Sequence, residues 1–186
     1  YVQFYRELSV ACRANGLVLS IDNYVPYQFN DYYDLGEQGD FADYVVIMGY
    51  DEHTTGSEEP GSVASIGYTA FGIEETMKEV SPEYVINGVP FFTRVWRQSG
   101  PNLSSNAMGI ADAQAYVEQQ GIELSWDEET GQYYGRKETE TGITQIWMEE
   151  ERSLAEKISL IRENGLGGVA GWRLGYEPAE IWKELD

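Results

Sequence analysis

The chain has 186 residues, of which 42% are hydrophobic and 24% are charged, a composition typical of a globular protein with one sizeable core or two small ones. Its mean hydropathy is -0.43, and no apolar run approaches the ~20 residues of a membrane-spanning helix, so we expect a soluble protein with no membrane partner. Thirty-two acidic against twelve basic residues give a net charge of -20. Because this charge repels phosphate, nucleic acid is a poor partner.

The first part of the chain predicts a helix followed by a buried strand. Apolar residues recur at three- and four-residue steps between residues 2 and 15, and Gly16 follows as a stop signal. Cys12 lies on this apolar stripe, so we expect it in the core; as the single cysteine it cannot form an internal disulfide. Residues 17–21 are almost continuously apolar, as expected for a parallel strand covered on both faces.

The same strand signature returns three times, at residues 44–50, 84–90 and 168–172. Helical patterns lie between these strands. Strand and helix in alternation favour a parallel sheet, either an α/β barrel or an open doubly wound sheet. In both architectures the functional residues lie at the carboxyl ends of the strands.

Two helices are predicted between the strands, and the second has clear boundary signals. One covers residues 63–79. The other covers residues 154–164, where Ser153 with Glu156 fits a capping box and Gly165 fits the stop position.

Residues 92–166 are far more than one crossover helix needs, which predicts an insertion. Within it, residues 110–120 are predicted as a helix ended by Gly121, and two strands are predicted on either side of a turn at Thr141 and Gly142. The predicted strands cover 132–134 and 143–147. We therefore expect barrel-type βα units at 1–97 and 148–186 and an α+β insertion at 98–147.

The richest cluster of polar side chains after a strand is Tyr50, Asp51, Glu52 and His53. In an extended segment Tyr50 and Glu52 would point one way and Asp51 the other, so convergence of all four is not assured. The alternative is that Asp51 and Glu52 only solvate a loop. Trp172, at another strand end, could either close a core or form the floor beneath a sugar ring.

Other chemistries lack their sequence signals. One histidine and no cysteine pair give no zinc spacing, and no D-x-D-x-D-G run indicates calcium. There is no G-x-S-x-G elbow and no glycine-rich loop between a strand and a helix. We therefore predict no metal and no cofactor.

Three motifs in order resemble glycoside hydrolase family 18, namely 48–51 (Met-Gly-Tyr-Asp), 88–94 (Gly-Val-Pro-Phe-Phe-Thr-Arg) and 168–175 (Gly-Val-Ala-Gly-Trp-Arg-Leu-Gly). Residues 146–157 further resemble the bacterial branch of cell-wall and spore-cortex hydrolases. The resemblance implies an α/β fold that is the C-terminal half of a (β/α)8 TIM barrel. Strands five to eight would be present, with the α+β insertion between strands seven and eight.

The resemblance also implies an activity, the hydrolysis of an N-acetylglucosamine-containing polysaccharide, peptidoglycan or chitin. In this family the sugar's own acetamido oxygen attacks the anomeric carbon, so no enzyme nucleophile is needed. Tyr50 would donate to the acetamido group and Asp51 would bond sugar or loop groups. Substrate contacts would come from Trp172, Arg94, Asn23 and Glu52. Phe92 stands where the family usually has tyrosine.

The general acid of the family, the glutamate of D-x-x-D-x-E, is not found in this sequence. Two segments begin the pattern, but Gly36 and Val45 occupy the glutamate position. We expect the acid to lie upstream of Tyr1, so that the chain is a C-terminal half that is inactive alone. The rival interpretations are a non-catalytic carbohydrate-binding protein of the same fold and a generic acidic α/β interaction domain.

Two further expectations concern partners and location. Four barrel strands cannot close on themselves, so a homodimer through the exposed half-barrel edges is predicted. The parent protein is expected to be secreted and associated with the cell wall or the spore.

Overall fold

The computed structural model describes residues 1–185 and divides the chain into two compact units. The first comprises Tyr1–Gly49, Ala70–Gly88 and Ser159–Ala170, and the second comprises Tyr50–Thr69, Val89–Ile158 and the chain from Gly171 onward. In the described chain the helices are α1 (Val2–Ala14), α2 (Leu35–Phe41), α3 (Ile66–Met77), α4 (Ile110–Gln120), α5 (Glu151–Glu163) and α6 (Trp182–Leu185). The strands are β1 (Ser20–Tyr24), β2 (Tyr44–Met48), β3 (Val85–Pro90), β4 (Phe92–Ser99), β5 (Asn102–Gly109), β6 (Leu124–Asp127), β7 (Gln132–Thr139), β8 (Gly142–Met148) and β9 (Gly168–Trp172).

A four-stranded sheet has the order β1-β2-β3-β9. Strands β1, β2 and β3 pair in parallel, with Tyr24 opposite Met48 and Val45 opposite Val85. All four strands predicted from apolar runs are present. The first begins at Ser20, later than predicted, because the Leu17 N–H donates to the Cys12 carbonyl at 2.9 Å and so belongs to the end of α1.

The core of the first unit lies where α1 and α2 cover β1. A buried cluster of Leu19, Ile21, Phe41 and Ala42 is packed by side chains of α1. These are Val2, Tyr5, Leu8 and Cys12. The contacts confirm the amphipathic helix, and Cys12 lies partly buried against this cluster.

A five-stranded antiparallel sheet of order β5-β4-β8-β7-β6 lies wholly within the second unit. Helix α4 has the predicted bounds, and Gly121 follows it in the left-handed conformation, with φ of 60°. Strands β4, β5 and β6 were not predicted. This sheet begins at Phe92, earlier than the predicted start of the insertion at residue 98. Strand β5 was missed because it is polar and lacks the apolar run that marks a strand in a sequence.

Helix α5 begins at Glu151, and its capping box differs from the predicted Ser153 and Glu156 pair. The Glu150 carboxylate accepts from the Ser153 N–H at 2.9 Å, and the Ser153 hydroxyl accepts from the Glu150 N–H at 3.0 Å. The predicted box is wrong because Ser153 lies inside the first turn, with Glu150 as the capping residue.

The core of the second unit is formed by α4 against the antiparallel sheet. Six buried residues make this cluster: Val95, Ala113, Val117, Ile122, Ile146 and Met148. Among residues 1–185, no helix has the length and apolar character needed to cross a bilayer.

Candidate active site

Two aromatic side chains at strand ends meet in the second unit. Tyr50 follows β2, and Trp172 is the last residue of β9. Their rings are nearly parallel, with centroids 6.4 Å apart and an interplanar angle of 26°. Phe92 closes one side of Tyr50, edge-on at 6.0 Å. Because Trp172 is 55% exposed, the pair presents an aromatic surface to solvent, as a sugar-stacking site requires.

Phe91 contacts the backbone of both Gly171 and Trp172. The Phe91 N–H donates to the Trp172 carbonyl at 2.7 Å, and the peptide bond between Trp172 and Arg173 is cis. A Cβ at Gly171 would lie 2.2 Å from the Phe91 ring. Since Phe91 is fully buried, only glycine permits this approach, and Trp172 is therefore held in place by packing rather than by its own exposed ring.

Asp51 adopts a left-handed backbone conformation, with φ of 64°. The alternation of Tyr50, Asp51 and Glu52 that an extended segment would give therefore does not apply, because the segment is not extended at this point. Partial burial of the Asp51 carboxyl raises its pKa, and the positive charge of Arg94 acts in the opposite direction. The Arg94 Nη2 and Asp51 Oδ1 atoms are 4.0 Å apart, so the two groups attract each other without a direct hydrogen bond.

Arg94 is anchored by two hydroxyl groups that were not predicted. Its Nη1 donates to Thr55 Oγ1 at 2.9 Å and to Ser105 Oγ at 3.2 Å. No signal in the sequence marks Thr55 or Ser105, because their role arises only when distant segments meet. Arg94 thereby places a positive charge beside Asp51 while keeping most of its side chain buried.

The Glu52 carboxylate is already engaged. Its Oε2 accepts from the Ser65 N–H at 2.7 Å, and its Oε1 accepts from the Ser65 hydroxyl at 3.1 Å. Glu52 borders an open groove of about 580 Å³ together with His53, Tyr68 and Trp147. The bonds to Ser65 fix the segment before α3, and the substrate contact of Glu52 stays a prediction.

The Asn23 side chain is also engaged by a neighbouring side chain. Its side chain is 3% exposed and forms two hydrogen bonds with the Gln38 amide, at 2.8 and 3.1 Å. The physical reason is strand alternation: Asn23 lies on the same face of β1 as buried Ile21, whereas exposed Tyr24 lies on the other. Asn23 borders a cavity of about 370 Å³ in the first unit, and its sugar contact stays a prediction.

No metal centre is evident in the part of the chain that the structure describes, where no group of three or more His, Cys, Asp or Glu side chains could hold an ion. Tyr50, Asp51, Arg94 and Trp172 thus remain the candidate site, and all four belong to the second unit.

Comparison with known proteins gives the family. Residues 1–177 match the family Glycosyl hydrolases family 18. The chain belongs to glycoside hydrolase family 18. This membership confirms the resemblance carried by the motifs and accounts for the combination of parallel and antiparallel sheets.

Two curated proteins similar to this chain are from Bacillus species. The chain is 32% identical to the sporulation-specific glycosylase YdhD of Bacillus subtilis, over 96% of this chain and 44% of that protein. It is 25% identical to the cortical fragment-lytic enzyme of Bacillus anthracis, over 85% of this chain and 37% of that protein. The chain thus spans less than half the length of these two relatives.

Known structures show the same family fold. The crystal structure of a chitinase from Chromobacterium violaceum superposes with a TM-score of 0.88 at 26% identity, over 99% of this chain and 59% of that chain. The spore cortex-lytic enzyme SleL of Bacillus cereus gives a TM-score of 0.89 at 23% identity, over 100% and 44% of the two chains.

Proposed function

We propose that this chain is the sugar-binding portion of a glycoside hydrolase acting on an N-acetylglucosamine-containing polysaccharide, peptidoglycan or chitin. The observation that carries the proposal is the parallel pair of Tyr50 and the exposed Trp172, beside the Asp51 carboxyl and the Arg94 guanidinium. An aromatic floor next to a few polar groups suits a pyranose ring, which has apolar C–H faces and a polar rim.

The proposed reaction is substrate-assisted and retaining. The acetamido oxygen attacks the anomeric carbon and forms a carbon–oxygen bond, while the glycosidic bond breaks and its leaving oxygen takes the proton of the D-x-x-D-x-E glutamate of the parent protein. Water then attacks the anomeric carbon, the bond to the acetamido oxygen breaks, and a proton of the water returns to that glutamate. Tyr50 donates its hydroxyl hydrogen to the acetamido group as positive charge develops on the sugar. Asp51 hydrogen-bonds the same group or the adjoining loop, and its raised pKa increases the fraction that can donate a proton in such a bond.

The chain alone is proposed to bind the sugar without cleaving it. None of its 186 residues completes D-x-x-D-x-E, and neither Tyr50 nor Asp51 replaces a carboxylic acid aimed at the leaving oxygen. The same observation favours the alternative function, a carbohydrate-binding protein without activity. The two are separated by turnover in a protein that carries both this chain and the motif.

Calorimetric titration with triacetylchitotriose tests the binding proposal. We expect the wild-type chain to bind and Trp172→Ala to bind about tenfold more weakly, because one large aromatic contact is removed. Trp126→Ala is the matched control, since Trp126 packs against Tyr133 and Arg152 instead. Equal affinity of wild type and Trp172→Ala would overturn the proposal.

The role of Tyr50 is tested in a protein with the complete motif. Tyr50→Phe keeps the ring and removes the hydroxyl, so turnover should fall more than substrate binding. Unchanged turnover would remove Tyr50 from the mechanism.

We also propose that β1, β2, β3 and β9 correspond to strands five to eight of a (β/α)8 barrel. The parallel pairing and strand order of the sheet support this assignment. Because an eight-stranded barrel needs eight strands to close, the isolated chain is expected to pair with a second copy through its sheet edges. Light scattering tests this, and a monodisperse monomer would contradict it. A secreted location at the cell wall or spore remains part of the proposal.

A further inference from the structure

The second unit contains a buried ion pair that the proposed chemistry does not use. Glu149 and Lys157 are fully buried, with Lys157 Nζ 3.0 Å from Glu149 Oε1. The Ser153 hydroxyl donates to Glu149 Oε2 at 2.8 Å. Burial raises the pKa of Glu149, whereas Lys157 and Ser153 act in the opposite direction. Such pairs rarely stabilise a fold more than apolar side chains of similar size, so their positional effect is the one to examine.

The ion pair is connected to the segment that follows the candidate site. Gln132 donates from Nε2 to Glu149 Oε1 at 2.6 Å. On its other side, the Gln132 Oε1 accepts a hydrogen bond from the Ser62 hydroxyl. The Ser62 oxygen in turn accepts from the Ala64 N–H at 3.0 Å. Three buried side chains, Glu149, Gln132 and Ser62, thus join β8 and β7 to residues 52–65.

The 52–65 segment is held at several further points near Ser62. The Trp96 indole donates to the Gly61 carbonyl at 2.8 Å, and the His53 Nδ1 atom lies 2.9 Å from the Ser62 carbonyl. The Glu52 N–H donates to the Val63 carbonyl at 2.8 Å. These bonds fold the segment back on itself, so the position of Ser62 sets the position of Glu52 and His53, directly after Asp51.

We propose that Glu149, held by Lys157, is a positioning residue that acts through Gln132 and Ser62. It fixes the 52–65 segment, which carries Thr55 and therefore one of the two anchors of Arg94. The network thereby sets the geometry between Asp51 and Arg94. Hydrogen bonds are directional, whereas an apolar core at this point would hold the segment without fixing its orientation. The effect on sugar binding rests on the proposed function; the effect on the segment does not.

Gln132→Leu in the 186-residue chain tests the connection, because it removes both amide bonds and leaves Glu149 paired with Lys157. Hydrogen exchange by NMR should become about fivefold faster at the Glu52 and Ala64 amides, the factor supplied by one ordinary hydrogen bond. Amides of α5 should keep their wild-type rates. Affinity for triacetylchitotriose should fall by about the same factor.

Thr76→Val is the control for general destabilisation, because Thr76 is buried and its hydroxyl donates within its own helix, to the Gly72 carbonyl. It should lower the melting temperature without changing either readout. If Gln132→Leu does not fold, Ser62→Ala removes the same connection with a smaller change. The Glu52 amide is then the readout, because the Ser62 hydroxyl is itself the acceptor of the Ala64 N–H.

A folded variant with wild-type exchange at Glu52 and Ala64 would overturn the positioning role. If the wild-type chain does not bind triacetylchitotriose, the proposed function fails, and the exchange rates still decide the role of Glu149.

Discussion

The two units bury polar groups in different ways. In the first, the buried polar pair is neutral: the Asn23 and Gln38 amides donate to each other beside an apolar cluster. In the second, the buried pair is charged, and Glu149 needs donors from Lys157, Ser153 and Gln132. The difference indicates where orientation matters, since a charged pair demands a complete set of directional bonds and a neutral amide pair demands fewer.

The largest expected effect comes from breaking the charged pair. Lys157→Met leaves the Glu149 carboxylate buried without its cation and should lower the free energy of unfolding by about 3–5 kcal/mol. Urea denaturation measures this. The double variant Glu149→Leu with Lys157→Met should recover most of the loss, because no charge then remains to be desolvated. If Lys157→Met has the same free energy of unfolding as wild type, water reaches the pair.

A smaller effect is expected from the neutral pair. Asn23→Leu leaves the Gln38 side chain short of partners and should cost about 1–3 kcal/mol in the same assay. Asn23→Leu with Gln38→Leu should be more stable than either single variant. Triacetylchitotriose affinity should be unchanged in the variants that fold, and a loss of affinity would place Asn23 in the proposed sugar site.

The smallest effect concerns the partly exposed Asp51 and the mostly buried Arg94. Because the pKa of Asp51 is raised by burial, folding favours the protonated form; this contribution to stability is present at low pH and is lost as the pH rises through the folded-state pKa. Arg94→Gln removes the opposing charge and should raise the Asp51 pKa further, as measured by carbon-13 NMR titration. Arg97→Gln is the control, because the Arg97 guanidinium lies over the Tyr116 ring. A lowered pKa in Arg94→Gln would contradict the assignment.

The fold was predictable where one pattern dominated. Four apolar runs marked β1, β2, β3 and β9, and α4 was bounded by Gly121. Strands β4 to β6 escaped prediction because polar residues alternate irregularly along them, and their pairing partners supply the signal that the sequence lacks. The predicted cap at Ser153 lies one turn too late. Glu150 is the capping residue and Ser153 is its partner in the first turn, which reverses the usual order of serine and glutamate in a capping box.

The candidate site was predictable only in part. The motifs predicted Tyr50 and Trp172 as site residues, and their rings lie side by side. Asn23 and Glu52 were chosen for their positions after strands, but Gln38 and Ser65 occupy their polar atoms.

The order of motifs and the periodicity of apolar residues were enough to establish the family and the alternation of helices and strands, because both are local properties of the chain. Folding decided which polar side chains lie beside Asp51 and which are bonded elsewhere. Arg94 is anchored by Thr55, 39 positions away, and Ser62 is joined to Gln132, 70 positions away. Bonds across such separations depend on how distant backbones meet, a relation that no local pattern encodes.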